Sequence, residues 1–106
     1  MFARRVSMHL KPNGAAELTQ RLEKEIIPLL RKQKGFQDEI TFVASGGKEA
    51  FGISLWDKAE NAEAYNQGTY AEVGRLLTSV VEGTPQVETY EVSNSTFHKI
   101  AAAVAA

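Results

Sequence analysis

The hydrophobic period of this 106-residue chain changes from two to about 3.6 and back, and each change falls beside a turn signal. That order of periods restricts the fold more than any single motif. Phe2, Val6, Met8 and Leu10 alternate with Ala3, Arg5, Ser7 and His9, which predicts a half-buried strand whose apolar side is interrupted by Arg4. Pro12-Asn13-Gly14 breaks it, with Asn13 placed to cap the next element. Leu18, Leu22, Ile26, Leu29 and Leu30 then form one helical stripe over 15–34. Pro28 lacks the amide that would bond the Lys24 carbonyl, so a bend is expected at Pro28, and Gly35 is the natural stop.

A second strand is expected over 36–45, with Phe36, Ile40 and Phe42 in phase, followed by a hairpin at Gly46-Gly47-Lys48. The third strand covers 49–56, where Phe51, Ile53 and Leu55 alternate with Ala50, Gly52, Ser54 and Trp56. Asp57 and Glu60 have capping-box spacing before a short helix that ends at Gly68. Thr69 and Glu72 repeat that signal and open a helix through Val81, closed by Gly83 and Pro85. The last strand is expected from about residue 86 to 94.

The order β-α-β-β-α(α)-β predicts an α+β, ferredoxin-like domain over 1–95, with helices on one face of a four-stranded antiparallel sheet. Residues 96–106 form a C-terminal extension, and its Ala-rich end is expected to be frayed or briefly helical. Phe51, Ile53 and Leu55 are expected to face the helices. The uncovered face should then show Ala3, Arg5, Ser7, His9, Val43, Gly52, Ser54, Trp56 and Val87. A domain this small buries only about 60–70% of its unfolded surface. A homodimer in which two such sheets face each other, a dimeric α+β barrel, is therefore expected.

A net charge of −1 disfavours nucleic acid as a partner, and the absence of cysteine excludes disulfides, thiolate metal sites and a thiol nucleophile. Charges inside the first apolar stretch argue against a secretory signal, and no run has the length of a membrane span, so a cytosolic protein is expected. His9 and His98 are the imidazoles, and neither sits in a metal-ligand or catalytic motif. Gly46-Gly47 precedes a strand rather than a helix, so it is no phosphate loop.

Four segments together resemble the antibiotic biosynthesis monooxygenase-like family over residues 2–93. They are Lys11-Pro12-Asn13-Gly14, the stretch 27–36 with Pro28 inside a helix, Ser54-Leu55-Trp56-Asp57, and Glu60-Asn61-Ala62-Glu63-Ala64-Tyr65. The resemblance implies a dimeric α+β barrel and a cofactor-independent monooxygenase acting on an apolar aromatic or phenolic small molecule. Trp56 matches the family's tryptophan, Arg75 is a candidate anion partner, and Tyr65 falls where haem-degrading relatives carry a helical tryptophan. Arg75 also stands where those relatives carry their iron-binding histidine, and arginine cannot ligate iron as imidazole does. The oxygenating members' tyrosine and asparagine fall on Ala62 and Gly52 in a gap-free count from Trp56. No metal or cofactor is implied. Two rival readings remain open: a non-catalytic or stress-associated binding barrel, and a cofactor-independent isomerase using His9 or Tyr65.

Overall fold

A computed structural model describes residues 1–100; the tail expected to be frayed or helical lies outside them. The chain runs β1 (Phe2–Leu10), α1 (Gly14–Arg21), a π-helical turn (Leu22–Ile26), α2 (Ile27–Arg31), β2 (Phe36–Val43), β3 (Glu49–Trp56), α3 (Ala59–Gln67), α4 (Tyr70–Leu77) and β4 (Val81–Glu91). The sheet is antiparallel with order β2-β3-β1-β4, and the helices cover one face. This is the expected α+β ferredoxin-like architecture. Among the described residues, no helix is long and apolar enough to cross a membrane.

Pro28 acts on the turn before it rather than at its own position. With no amide on Pro28 to bond Lys24, the ladder widens to an i→i−5 bond from Ile27 N–H to the Leu22 carbonyl. The expected bend is thus a π-helical turn. The helix stops at Arg31, and Gly35 completes the reversal at φ +82°; a Cβ there would collide with Asp57 Oδ1.

Cross-strand partners share a face, so the register decides which side chains meet the helices. Phe2 pairs with Trp56, Arg4 with Ser54, Val6 with Gly52 and Met8 with Ala50. Trp56, Ser54 and Gly52 therefore face the helices, while Phe51, Ile53 and Leu55 face away, the reverse of the expected assignment for β3. Trp56 is fully buried, which settles the phase. Val43 and Val87 also move to the helix side, paired with Ala50 and Val6. The open face instead carries Ile40, Phe42, Phe51, Ile53, Leu55 and Tyr90 beside Ala3, Arg5, Ser7 and His9, and is more apolar than expected.

Two further boundaries differ: α4 stops at Leu77 rather than running through Val81, and the last strand starts earlier than expected. β4 begins at Val81, and Gly83 and Pro85 lie inside it, at an irregularity where the β1 pairing shifts between Ser7 and His9. An edge strand tolerates the missing proline amide, and Gly83 takes φ +72° there. The expected caps are not made by Asn13, Asp57 or Thr69 side chains. Asp57 Oδ1 accepts from Asn61 Nδ2 at 2.7 Å instead, and Thr69 Oγ1 lies 3.3 Å from Gln33 Oε1.

The core lies between helices and sheet and contains Leu18, Ile26, Leu30, Trp56, Tyr65, Val73, Leu77 and Val80. After β4 the chain crosses to the far edge of the sheet, where His98 Nε2 meets the Asp38 carboxylate on the open side.

Candidate active site

A cavity lies between the sheet and the helix layer. Leu18, Leu22, Ile26 and Leu30 form one wall, recurring every four residues through the π-helical turn. Val73 and Leu77 of α4 form another. The polar groups come from the sheet floor and from the ends of α3 and α4: Arg4, Glu39, Thr41, Ser54, Tyr65 and Tyr70. Its volume is about 60 Å³. That space takes a few water molecules, whereas small-molecule sites commonly measure about 300 Å³ or more.

An aromatic row runs beside the cavity. Phe36 meets Trp56 edge-on with centroids 5.6 Å apart, Trp56 meets Tyr65 at 5.1 Å, and Tyr65 meets Tyr70 at 5.9 Å. These are favourable aromatic separations. The Trp56 indole donates to Ser54 Oγ at 2.9 Å, so Trp56 fixes a hydroxyl of the cavity floor without lining the cavity itself. Burial pushes the Tyr65 phenol up to about 12, partly offset by the nearby Arg4 cation. Tyr65 thus keeps its proton at neutral pH.

Arg4 is the residue that interrupts the apolar alternation of the first strand. It is 3% exposed on the helix-facing side. Its guanidinium lies 4.0 Å from the Tyr70 ring centroid and 5.2 Å from that of Tyr65, and Nη2 donates to Asn66 Oδ1 at 2.7 Å. It makes no ion pair among the described residues. This buried cation is held by ring faces and a neutral amide rather than by a carboxylate within salt-bridge distance.

Glu39 brings the opposite charge. It sits on β2 opposite Ser54 and accepts a hydrogen bond from Thr41 Oγ1 at 2.7 Å. Burial pushes its carboxyl above the ordinary glutamate range, and the Thr41 bond opposes that only in part.

Of the residues expected from sequence, Trp56 and Tyr65 come together here, and Tyr65 lines the cavity. Arg75 does not join them: it is exposed on α4 beside a surface groove shared with Arg21, Glu25 and Glu72. His9 is exposed, with Nδ1 3.4 Å from Glu49 Oε1. Sequence reasoning missed Arg4 and Glu39. The signal for Arg4 was present as a charge on an otherwise apolar strand face; Glu39 gave none, because an irregularity between Phe36 and Asp38 resets its phase.

The fold is that of the antibiotic biosynthesis monooxygenase-like α+β proteins. A Streptomyces coelicolor monooxygenase, from the gene ActVA-Orf6 and solved with nanaomycin D, superposes with a TM-score of 0.75 at 14% identity, covering 92% of each chain. A Bordetella bronchiseptica protein named as a candidate antibiotic biosynthesis monooxygenase gives 0.73 at 14% identity, over 86% of this chain and 95% of that one. A Nitrosomonas europaea protein of unknown function, NE2512, gives 0.73 at 19% identity, over 95% and 94%. No protein-family profile matches the chain, and no curated protein matches it significantly.

Proposed function

We propose that this chain is a homodimeric barrel protein that oxygenates a small phenolic aromatic without a cofactor, in the cavity between sheet and helices. The observation that carries the reading is Arg4, a buried guanidinium without a carboxylate partner among the described residues, at a cavity walled by aromatic and aliphatic side chains. An electron-rich phenol that loses its proton becomes a carbanion able to reduce oxygen directly. A fixed cation in a dry site stabilises that anion more strongly than water does. Trp56 and Tyr65 build the orienting wall. Arg4 takes the anion-stabilising part that the resemblance gave to Arg75, because Arg4 lines the cavity. The shared fold with a monooxygenase solved with nanaomycin D supports the same reading. A ring-sized substrate exceeds the 60 Å³ of this cavity and requires its apolar wall to widen.

The homodimer rests on the open face. Ile40 is 39% exposed and Phe42 46%, and the Arg5 Nε is buried without an acceptor among the described residues. A second sheet would cover the first two and offer carbonyl or carboxylate oxygens to the third.

The 60 Å³ volume favours a second reading, a non-catalytic barrel whose space is a packing void. Oxygen uptake with a panel of one- and two-ring hydroquinones and phenols, in buffer free of metal and flavin, separates the two. Uptake by the wild type that is lost in Arg4→Met supports the oxygenase. No uptake across the panel overturns it.

A further inference from the structure

We propose that Glu39 is the proton acceptor of this cavity, held in place by Thr41 and by the missing side chain of Gly52. The assignment rests on the oxygenase reading and adds the base that this reading lacks. Tyr65 holds its proton, and both imidazoles lie elsewhere, His9 beside Glu49 and His98 beside Asp38. Among the described residues, Glu39 is the carboxylate that lines the cavity.

Three local features place it there. The irregularity between Phe36 and Asp38 shifts β2 by one residue, so Asp38 pairs with Leu55 on the open face while Glu39 pairs with Ser54 on the helix side. Thr41, two residues on and on the same face, donates to Oε2 at 2.7 Å. Gly52, the cross-strand partner of Thr41, leaves the floor bare beneath the carboxylate. A Cβ at Gly52 would lie 2.8 Å from Glu39 Oε2 and 3.3 Å from Thr41 Oγ1. The charged and titratable groups facing Glu39 across the cavity are Arg4 on β1, Tyr65 on α3 and Tyr70 on α4; the wall from Leu18 to Leu30 is apolar. Arg4 and Glu39 form no ion pair among the described residues, so a substrate oxygen can lie between a proton acceptor and an anion-stabilising cation. The raised carboxyl suits a base that must hold the proton briefly at neutral pH.

The step balances with molecular oxygen as the oxidant. Glu39 takes the phenolic proton, and the ring carbon para to that oxygen gives its electron pair to O₂, forming a C–O bond. The carboxylic acid returns the proton to the distal peroxide oxygen. Glu39 then removes the ring C–H proton as the O–O bond breaks, and that proton joins the departing hydroxide. The phenol and O₂ become a quinone and water, and the carboxylate is restored.

The test begins without oxygen. Wild type, Glu39→Gln and Gly52→Ala are titrated anaerobically with 1-naphthol and the other phenols of the panel, and naphtholate absorbance is followed below the pH at which the free phenol ionises. Wild type is expected to show the anion on binding. Glu39→Gln should bind within about threefold yet keep the phenol neutral, and its aerobic turnover should fall at least about 100-fold, with the acid limb of the pH–rate profile lost. Gly52→Ala, which keeps the carboxylate but displaces it, should lose turnover in the same direction; Asp38→Asn should not. A Glu39→Gln variant that ionises and turns over phenols like the wild type overturns the assignment and leaves the oxygenase reading standing. Wild type that binds no phenol of the panel overturns both.

Discussion

Replacing Arg4 by methionine keeps an unbranched side chain in the same volume and deletes the charge. The stability terms nearly cancel. The bond from Nη2 to Asn66 at 2.7 Å is worth about 1.5–3 kcal/mol. The contacts with the Tyr65 and Tyr70 rings add roughly 1–2 kcal/mol together. Against these stands the desolvation of a cation that is 3% exposed and has no carboxylate partner among the described residues, a cost of several kcal/mol. Asn66 is exposed and can turn to water when its donor goes. The variant is therefore expected to melt within about 8 °C of the wild type. Binding should respond very differently. Removing the partner of a buried charged hydrogen bond costs about 2–5 kcal/mol, so affinity for an anionic phenolate should drop by about 25-fold or more. Thermal melts and an anaerobic fluorescence titration with 1-naphthol measure the two quantities on one preparation. A variant that loses more than about 4 kcal/mol of stability, or that binds the phenolate as tightly as the wild type, would rule out Arg4 as the anion-stabilising cation.

Trp56→Ala empties the centre of the aromatic row and frees the Ser54 hydroxyl, and should cost about 3–5 kcal/mol in a denaturant titration. Glu39→Gln should stabilise the fold at neutral pH. A carboxyl raised by folding binds its proton more tightly in the native state, so its contribution to stability is lost as pH rises from the unfolded value through the folded one. The gain in melting temperature should vanish in acid, below both values, and a constant gain across pH would contradict the burial of Glu39. Ile40→Lys with Phe42→Lys should convert a dimer to a soluble monomer by light scattering; a wild type already monomeric at micromolar concentration would end the sheet-to-sheet proposal.

Element order was legible because periods and turn residues agree along most of the chain, and β3 and α3 match their expected spans. The phase of β3 was not. Phe51, Ile53 and Leu55 make the more hydrophobic half of the alternation, yet Trp56 and the small residues Ala50, Gly52 and Ser54 face the core. Both halves of this strand's alternation carry apolar side chains, and alternation cannot rank two apolar faces. The start of β4 was hidden because Gly83 and Pro85, usually breakers, sit at an edge-strand irregularity. The caps failed because the N-cap of α3 falls on Lys58, one residue past Asp57, and because Thr69 Oγ1 lies against Gln33 rather than the helix backbone. Within the site, Trp56 and Tyr65 could be found as aromatics near the ends of their elements. Arg4 announced itself only as an exception to a pattern, and Glu39 depends on a one-residue shift that sequence periodicity does not encode.

The leucines and isoleucine at 18, 22, 26 and 30 are spaced by four, and in an uninterrupted α-helix that spacing would carry Leu30 about 120° around the axis from Leu18. All four line the cavity because the turn at Leu22–Ile26 is overfull by one residue and unwinds the drift. The shape of this wall is therefore governed by how many residues the turn contains. Removing one codon there would swing everything beyond it to a new bearing, a change that no exchange of one apolar side chain for another can imitate.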